Sequence, residues 1–201
     1  MNWRHCSALV TGAGGFIGSH LVESLLARGA RVRAFVRYNS RGDVGLLSLL
    51  PNSLREELEI VAGDLRDPYA VEQAAQGVSH IFHLGALIAI PYSYLHPHEV
   101  VETNVMGTLN VLMAARRSEA ARVVHTSTSE VYGTALSVPI SETHPLQGQS
   151  PYAAGFGKSI PVQAALAEFR GRLPALETPS ALPPSTQTLR QGIPLEGINW
   201  K

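Results

Sequence analysis

Short apolar runs alternate with helix-like patterns through about residue 150 of the chain. The apolar runs predict strands at SALVTG (7–12), RVRAFV (31–36), LEIVAGD (58–64), VSHIFHLGA (78–86) and ARVVHTSTS (121–129). Between them, helical spacing of apolar positions marks IGSHLVESLLARG, DPYAVEQAAQG and HEVVETNVMGTLNVLMAARRS (98–118). Apolar strands that alternate with helices predict a parallel sheet covered on both faces. The predicted fold class is therefore α/β, a doubly wound parallel sheet of the Rossmann type.

The composition changes near residue 171. The last 31 residues, GRLPALETPSALPPSTQTLRQGIPLEGINWK, hold five of the thirteen prolines and show no strand or helix period. Such a composition is typical of extended or disordered chain. We therefore predict a folded domain over residues 1–170 and an irregular, proline-rich tail over residues 171–201.

Composition and charge exclude several classes of function. Sixteen basic and sixteen acidic residues give a formal net charge of zero, and no Lys/Arg run stands out. Binding to nucleic acid or to a membrane surface therefore has no electrostatic support. The single cysteine, Cys6, precludes an internal disulfide and is expected to be a small core residue. Because there is neither a signal-peptide pattern nor an apolar run near the roughly 18 residues of a membrane span, we expect a cytoplasmic protein. No metal site is expected.

A glycine-rich turn, TGAGGFIGSHL, lies between the first predicted strand and the first helix. Gly12 permits the tight turn, Gly15 lets a pyrophosphate approach the backbone, and Gly18 lets the helix lie close to the sheet. The helix start at Phe16 and Ile17 supplies amides and a positive dipole end. This context predicts a dinucleotide site for NAD(P), and the alternative is a glycine-rich turn without a ligand.

Residues at the ends of the second and third predicted strands are expected to contact the adenosine part of such a cofactor. An acid after the second strand would accept from the ribose 2′-hydroxyl, but the chain has Val36 followed by Arg37. This favours NADP(H) over NAD(H), unless Arg37 is simply a solvated surface residue. In GDLRD, Asp64 is expected to accept from the adenine amino group while Leu65 packs on the ring. Alternatively, Asp64 caps the helix that follows.

The motifs TGAGGFIGSHL, GDLRD, FHLGA, ETNVMGTLNVL, HTSTSEVYG and SPYAA occur in this order over roughly residues 7 to 154. In this the chain resembles the extended short-chain dehydrogenase/reductases that act on nucleotide sugars, the NAD-dependent epimerase/dehydratase family. The resemblance implies an NAD(P) cofactor, a nucleotide-sugar substrate, and cofactor contacts at Leu84 and Ala86. Gly85 stands where the family usually has alanine. Family dimers pair the long helix (98–118) with the tyrosine helix, which is altered here, so a homodimer is open to question.

The resemblance also implies the catalytic residues. Thr128 matches the residue that hydrogen-bonds the sugar 4-hydroxyl, and Tyr152 matches the base that takes its proton while the C4 hydride passes to NAD(P)+. Glu130 matches the acid that removes the C5 proton before water leaves from C6 and the hydride returns there. The order Thr-Ser-Glu resembles 4,6-dehydratases of the GDP-mannose and N-acetylglucosamine nucleotide types. A 4-epimerase is the alternative.

One residue breaks the family pattern. A lysine is expected one helical turn after Tyr152, where its ammonium would favour the phenolate and hold the nicotinamide ribose. Position 156 is Phe156 instead, and Lys158 is off the tyrosine's face of a helix. Three further residues make this stretch a poor helix: Gly155, Gly157 and Pro161. We therefore predict that the Tyr–Lys pair is broken and that the chain is impaired. Two alternatives are a non-catalytic dinucleotide-binding remnant and a redox-sensing or partner-binding domain.

The family's sixth strand and C-terminal substrate lobe have no counterpart in residues 171–201. We explain this by the hypothesis that small insertions or deletions in the coding DNA place residues 155–201 out of frame. The gene sequence through codons 150 to 201 would test the hypothesis.

Overall fold

The computed structural model describes residues 3–118, 120, 122–141 and 143–157. Its sheet has five parallel strands in the order β3-β2-β1-β4-β5. The strands are β1 (Ser7–Thr11), β2 (Arg31–Arg37), β3 (Glu59–Gly63), β4 (His80–His83) and β5 (Arg122–His125). Each strand lies within or overlaps a predicted one, so the doubly wound α/β prediction is confirmed. The predicted tail over 171–201 lies outside the described residues.

Helices connect the strands. They are α1 (Phe16–Ala27), α2 (Asn52–Arg55), α3 (Pro68–Ala75), α4 (Ile90–Leu95), α5 (Pro97–Val101), α6 (Gly107–Arg117) and α7 (151–157). Three 3-10 turns are formed by Trp3–His5, Gly45–Leu49 and Ser129–Tyr132. The long helix predicted over 98–118 is α5 and α6 joined by a π-helical turn, Glu102–Met106. Within the described part of the chain, no helix is long and apolar enough to cross a membrane.

The sheet carries one hydrophobic core on each face. Along β1, successive side chains point to opposite faces, as strand geometry requires. Ala8 and Val10 pack with the apolar residues of α1, whereas Leu9 packs with those of α3 and α6. Because both faces are covered, the central strand β1 is buried from Ala8 to Thr11, whereas the edge strand β3 is largely exposed.

The strand order places a topological switch point between β1 and β4. From β1 the chain builds outward through β2 and β3, then returns to the other side of β1 to form β4 and β5. Connections at the carboxyl ends of β1 and β4 therefore diverge to opposite sides and leave a crevice between them. Ligands of open α/β sheets bind in such a crevice.

Residues 151–157 are helical, so the expectation of a poor helix here was wrong for the part of the segment that is described. The helix start has strong local signals. The Ser150 hydroxyl accepts from the amide of Ala153 at 3.0 Å, and Pro151 stands at the first helical position.

Packing then offsets the low helix propensity of the two glycines. Tyr152 and Phe156 are 7% and 6% exposed and form a small apolar cluster with Val131. Burial of two aromatic rings outweighs a glycine penalty of about 1 kcal/mol each. Lys158 and Pro161 lie outside the described residues.

Candidate functional site

A cleft of about 700 Å³ opens at the carboxyl ends of β1 and β4. It contains both ends of the predicted site, the glycine turn and the region around Tyr152. The predicted residues that line it are Gly12, Gly15, Phe16, Ile17, Gly18, Arg37, Leu84, Ala86, Thr128 and Tyr152. A smaller cavity of about 130 Å³ adjoins it, lined by Asp64 and Leu65 and also by Gly12, Arg37 and Ala86.

The glycine turn leaves no room for side chains on its inner side. Gly12 has φ +67°, and a Cβ there would lie 2.8 Å from the Cα of Gly85. A Cβ at Gly18 would lie 2.2 Å from the Gly12 carbonyl oxygen and 2.8 Å from the Cα of Ala13. Both contacts are with backbone, so neither glycine can be replaced without moving the turn. The roles predicted for Gly12 and Gly18 agree with these distances.

Gly15 differs, because it borders open space. Among the described residues, a Cβ there would meet only the Gly12 carbonyl oxygen, at 3.3 Å. Gly15 is the N-cap of α1 and supplies no side-chain cap, so the first amides of the helix keep their donors for a ligand. The side chains of Phe16 and Ile17 are 72% and 65% exposed, which leaves the backbone amides as their contribution. This arrangement fits the diphosphate of a dinucleotide.

A loop over residues 39–45 packs on the glycine turn and forms part of the cleft wall. The amide of Leu46 donates to the Gly14 carbonyl at 2.9 Å. The side chain of Asn39 holds the loop, since its Oδ1 accepts from the amides of Arg41 and Asp43 at 3.1 and 2.9 Å. Asn39 and Asp43 line the cleft but were not predicted as site residues. The Asn/Gly/Asp composition of the loop was the available signal.

Asp64 lies at the smaller cavity but is engaged with its neighbour. Its Oδ2 accepts from Arg66 Nη2 at 2.6 Å, and both carboxylate oxygens lie 3.1 Å from Arg66 Nε. These hydrogen bonds lower the pKa of Asp64. The alternative role as a helix cap is not what the structure has: Asp67 caps α3 by accepting from the amide of Tyr69 at 2.9 Å.

Arg37 lies at the end of β2, as predicted, and lines both cavities. Its side chain is 65% exposed, and its Nη2 is 3.5 Å from Oε1 of Glu99 on α5. The sequence has no acid directly after β2, yet the fold brings a carboxylate from a distant helix to the same place.

A chain of buried hydrogen bonds ties β1 and β4 to α6. His83 is fully buried, with Nδ1 2.7 Å from the Thr11 hydroxyl and Nε2 3.1 Å from the Thr108 hydroxyl. The Thr108 hydroxyl donates to the Asn104 carbonyl at 2.6 Å, so it accepts from His83 Nε2–H. His83 Nδ1 therefore accepts from Thr11, whose hydroxyl oxygen in turn accepts from the Gly85 amide at 3.1 Å. Burial lowers the pKa of His83 to about 3, consistent with this neutral tautomer.

The same network fixes the loop that follows β4. The Asn104 side chain accepts from the Leu87 amide at 2.8 Å and donates to the Leu87 carbonyl at 2.9 Å. Together with the bond to Gly85, this holds both ends of the segment that carries Ala86. Ala86 lines both cavities, and its contact with a cofactor stays a prediction.

Gly85 stands where the family usually has alanine, and its surroundings here leave little room for a side chain. A Cβ there would lie 2.9 Å from Leu65 Cδ1 and 3.2 Å from both the Gly12 amide nitrogen and the Thr11 hydroxyl. The residue thus sits where the glycine turn, the adenine-side cavity and the β4 loop approach one another.

The far end of the cleft carries the predicted catalytic residues. Thr128 and Tyr152 line it, together with Phe156. The rings of Tyr152 and Phe156 meet edge-on with centroids 5.0 Å apart. Phe156 thus occupies the position predicted for the lysine, and it brings no charge to the tyrosine.

Glu130 is placed differently from the other two catalytic candidates. It is exposed and is not among the described residues that line the cleft. Its amide donates to the Thr128 hydroxyl at 3.3 Å, so Thr128 also caps the 3-10 turn that carries Glu130.

His125 is a second buried histidine near this end. Its ring lies 5.1 Å from that of His83 and stacks on Phe156 at 6.1 Å. Among the described residues, neither of its ring nitrogens has a hydrogen-bond partner, and the same holds for the hydroxyl of Ser127. Burial lowers the pKa of His125 to about 4. Sequence analysis did not single out this residue.

The family model described as GDP-mannose 4,6 dehydratase matches residues 9–159. A UDP-glucose 4-epimerase of Mycolicibacterium smegmatis is 41% identical over 149 residues, which cover 73% of this chain and 47% of that protein. The chain spans between 29% and 47% of the length of the first curated relatives that it matches.

Solved structures of a nucleotide-sugar epimerase and a dehydratase also match this chain. A UDP-N-acetylglucosamine 4-epimerase from Methanobrevibacter ruminantium superposes with a TM-score of 0.74 at 30% identity, covering 83% of this chain and 52% of that one. A dTDP-glucose 4,6-dehydratase from Streptomyces venezuelae, solved with NAD, gives 0.69 at 35% identity, covering 82% and 52%. The cofactor of this group is NAD(P). Fold, glycine turn and comparisons agree, and the chain belongs to the NAD-dependent epimerase/dehydratase family of extended short-chain dehydrogenase/reductases.

Proposed function

We propose that this chain carries the cofactor-binding part of a nucleotide-sugar 4,6-dehydratase and that its own activity is impaired. One observation supports both parts: the glycine turn, Thr128 and Tyr152 line the same cleft, while Phe156 fills the place of the lysine. The substrate class is proposed from the nucleotide-sugar enzymes among the relatives, such as the UDP-glucose 4-epimerase and the dTDP-glucose 4,6-dehydratase. We further propose that residues 1–170 form the dinucleotide-binding domain, of which residues 158–170 lie outside the described residues.

NAD(P)+, when bound, supplies a hydride acceptor that can later return the hydride. The amides at the start of α1 would hold its diphosphate, with Gly15 giving access to the backbone. Leu65 and the loop around Ala86 would enclose the adenine in the smaller cavity. The Arg37 guanidinium would face the adenosine ribose.

At the other end, Tyr152 is proposed to remove the proton of the sugar 4-hydroxyl, to which the Thr128 hydroxyl also hydrogen-bonds. In the dehydratase reaction Glu130 would then remove the C5 proton, and the C6 hydroxyl would leave as water. Each step needs an ionised base. A neighbouring ammonium is what normally makes a tyrosine ionise readily, and Phe156 cannot provide one.

A 4-epimerase is the second candidate, and the position of Glu130 favours it. Epimerisation needs the tyrosine and the threonine hydroxyl but no acid at C5. Thr128 and Tyr152 line the cleft, whereas Glu130 is not among the described residues that do so. A C-terminal substrate lobe could still bring substrate to Glu130, so the products must decide between the two reactions.

The test combines binding with product analysis. The full chain is titrated with NAD+ and NADP+ by calorimetry and then incubated with UDP-N-acetylglucosamine, GDP-mannose and UDP-glucose, each with added NAD+. We expect saturable cofactor binding without turnover. A product lighter by one water would identify a dehydratase, and an isomer an epimerase, and either would refute the proposed impairment. A Tyr152→Phe variant is the control for contaminating activity.

A further inference from the structure

Charged side chains from four elements converge at the adenosine end of the cleft. Arg66 links the set, with Nη1 3.8 Å from Glu99 Oε1 and 4.0 Å from Glu102 Oε2, while it also pairs with Asp64. Arg37 joins through Glu99 at 3.5 Å. Two guanidinium groups and three carboxylates give the cluster a net charge of −1. A 2′-phosphate bound beside Arg37 would therefore lie near carboxylates as well as guanidinium groups.

Glu99 is held at the centre of this cluster. The Tyr92 hydroxyl donates to its Oε2 at 2.5 Å, and its side chain is 26% exposed. The hydrogen bond from Tyr92 lowers the pKa of Glu99, and the positive charges of Arg37 and Arg66 act in the same direction. Glu99 is therefore ionised at neutral pH and has a fixed orientation toward Arg37.

We propose that Glu99 is a specificity-determining residue for the 2′ position of the adenosine ribose, and that it acts through Arg37. This inference rests on the proposed cofactor site. An arginine alone at the end of β2 would favour a 2′-phosphate, which was the basis for expecting NADP(H). The carboxylate of Glu99 offsets that positive charge and competes for the same guanidinium. The preference for NADP(H) is thereby reduced, and NAD(H) becomes an effective ligand.

The usual sequence rule misses this arrangement because it looks for the acid directly after β2. Here the acid comes from α5, whose position is set by the π-helical turn and α6 packed beyond it. Glu99 and Arg37 become neighbours only in the folded chain.

The experiment compares four proteins by calorimetry: the full chain, Glu99→Gln, Arg37→Ala and the double variant. The quantity measured is the ratio of the Kd for NADP+ to that for NAD+. We expect Glu99→Gln to shift this ratio about five- to tenfold toward NADP+ at low salt, and less at high salt, because the pair is partly exposed. In the Arg37→Ala background the same substitution is expected to shift the ratio less than about twofold, because the group through which it acts is gone.

Glu102→Gln is the matched control. Glu102 is a second glutamate near Arg66, but no contact with Arg37 is among those described, so the ratio should shift less than about twofold. A ratio unmoved by Glu99→Gln in a folded variant would overturn the proposal. An equal shift with and without Arg37 would also overturn it. Failure of the full chain to bind either dinucleotide would instead refute the cofactor site itself, and this proposal with it.

Discussion

The two ends of the cleft differ in how completely their buried polar groups are hydrogen-bonded. At the cofactor end, the Thr11 hydroxyl and the Asn104 side chain fix the loop after β4. The buried His83, whose ring is 5.1 Å from that of His125, joins this network through both ring nitrogens. At the catalytic end, the buried His125 has no hydrogen-bond partner within the described part of the chain, and the aromatic ring of Phe156 stands against Tyr152. The buried polar groups of the first end are matched to one another, whereas at the second end Phe156 stands where the family pattern has a lysine.

Under the proposed function, binding and catalysis would depend on separable parts of the fold. Cofactor binding needs backbone geometry at the switch point, which the sheet itself enforces. Proton transfer would need a particular pair of side chains on α7, and Phe156, which takes the place of one of them, packs against Tyr152.

The largest effect is expected at the glycine turn. Gly18→Ala would place a methyl group 2.2 Å from a backbone oxygen, so α1 must move away from the sheet. We expect dinucleotide affinity to fall about a hundredfold, or about 2.7 kcal/mol, and the free energy of unfolding to fall by about 2 kcal/mol or more. Calorimetry and urea denaturation measure the two quantities.

Gly157→Ala is the matched control for this change. A Cβ at Gly157 meets none of the described residues within 4 Å, so the same added methyl should leave dinucleotide affinity unchanged. It should not lower the free energy of unfolding, which is expected to rise by up to about 1 kcal/mol as in any helix. Equal effects of the two alanines would show that the tight fit at Gly18 has no role.

The second prediction concerns a variant in which the lysine of the family pattern is restored at position 156. In Phe156→Lys, an ammonium is placed one turn from Tyr152 and favours the phenolate over the neutral phenol. We expect one component of the tyrosinate absorbance to appear about one to two pH units lower than in the chain with Phe156, and to be missing from the Tyr152→Phe/Phe156→Lys variant, which lacks the responding group. Superimposable titrations of the two variants would contradict the assignment of this lysine position.

The third prediction compares the loss of stability when each of the two buried histidines is replaced. His83→Leu strands the hydroxyls of Thr11 and Thr108, so we expect a loss of about 2–4 kcal/mol in the free energy of unfolding at about pH 7. His125→Leu removes a ring whose nitrogens have no partner among the described residues, so its cost should be below about 1 kcal/mol. Urea denaturation of both variants measures the difference, and equal losses would count against the contrast between the two ends.

The same residues predict how stability depends on pH. Burial lowers the pKa of His125 to about 4 and that of His83 to about 3, so the unfolded chain binds more protons below the ordinary histidine value of about 6.5. Stability is then fully present above about pH 6.5 and falls with acidification, by up to about 1.4 kcal/mol per pH unit for each histidine. The His125→Leu variant should show a shallower decline between about pH 6.5 and 5 than the wild-type chain.

The smallest effect is expected in the loop over the glycine turn. Asn39→Ala removes the acceptor for two loop amides, so we expect dinucleotide affinity to fall about three- to fivefold. The control is Asn52→Ala, since Asn52 Oδ1 accepts an exposed hydrogen bond from Arg55 and lies away from the cleft. Identical affinities in the two variants would remove this loop from the site.

Sequence patterns were sufficient for the strands and the glycine turn, because period, turn chemistry and motif order are local properties, whereas Asn39 and Asp43 at the cleft were missed. Three features were not accessible in this way. The proximity of Glu99 to Arg37 depends on how α5 packs. The environment of the His125 ring depends on what surrounds it in space. The helix over 151–157 forms because Tyr152 and Phe156 are buried, which outweighs the two glycines.

The most direct measurement is a calorimetric titration of the full chain with NAD+, alongside the Gly18→Ala variant. We expect saturable binding of one dinucleotide per chain, with affinity reduced about a hundredfold in the variant. Two results would contradict this expectation: a wild-type chain that is folded by circular dichroism yet gives no binding heat at several temperatures, or a Gly18→Ala variant that binds NAD+ as tightly as the wild-type chain.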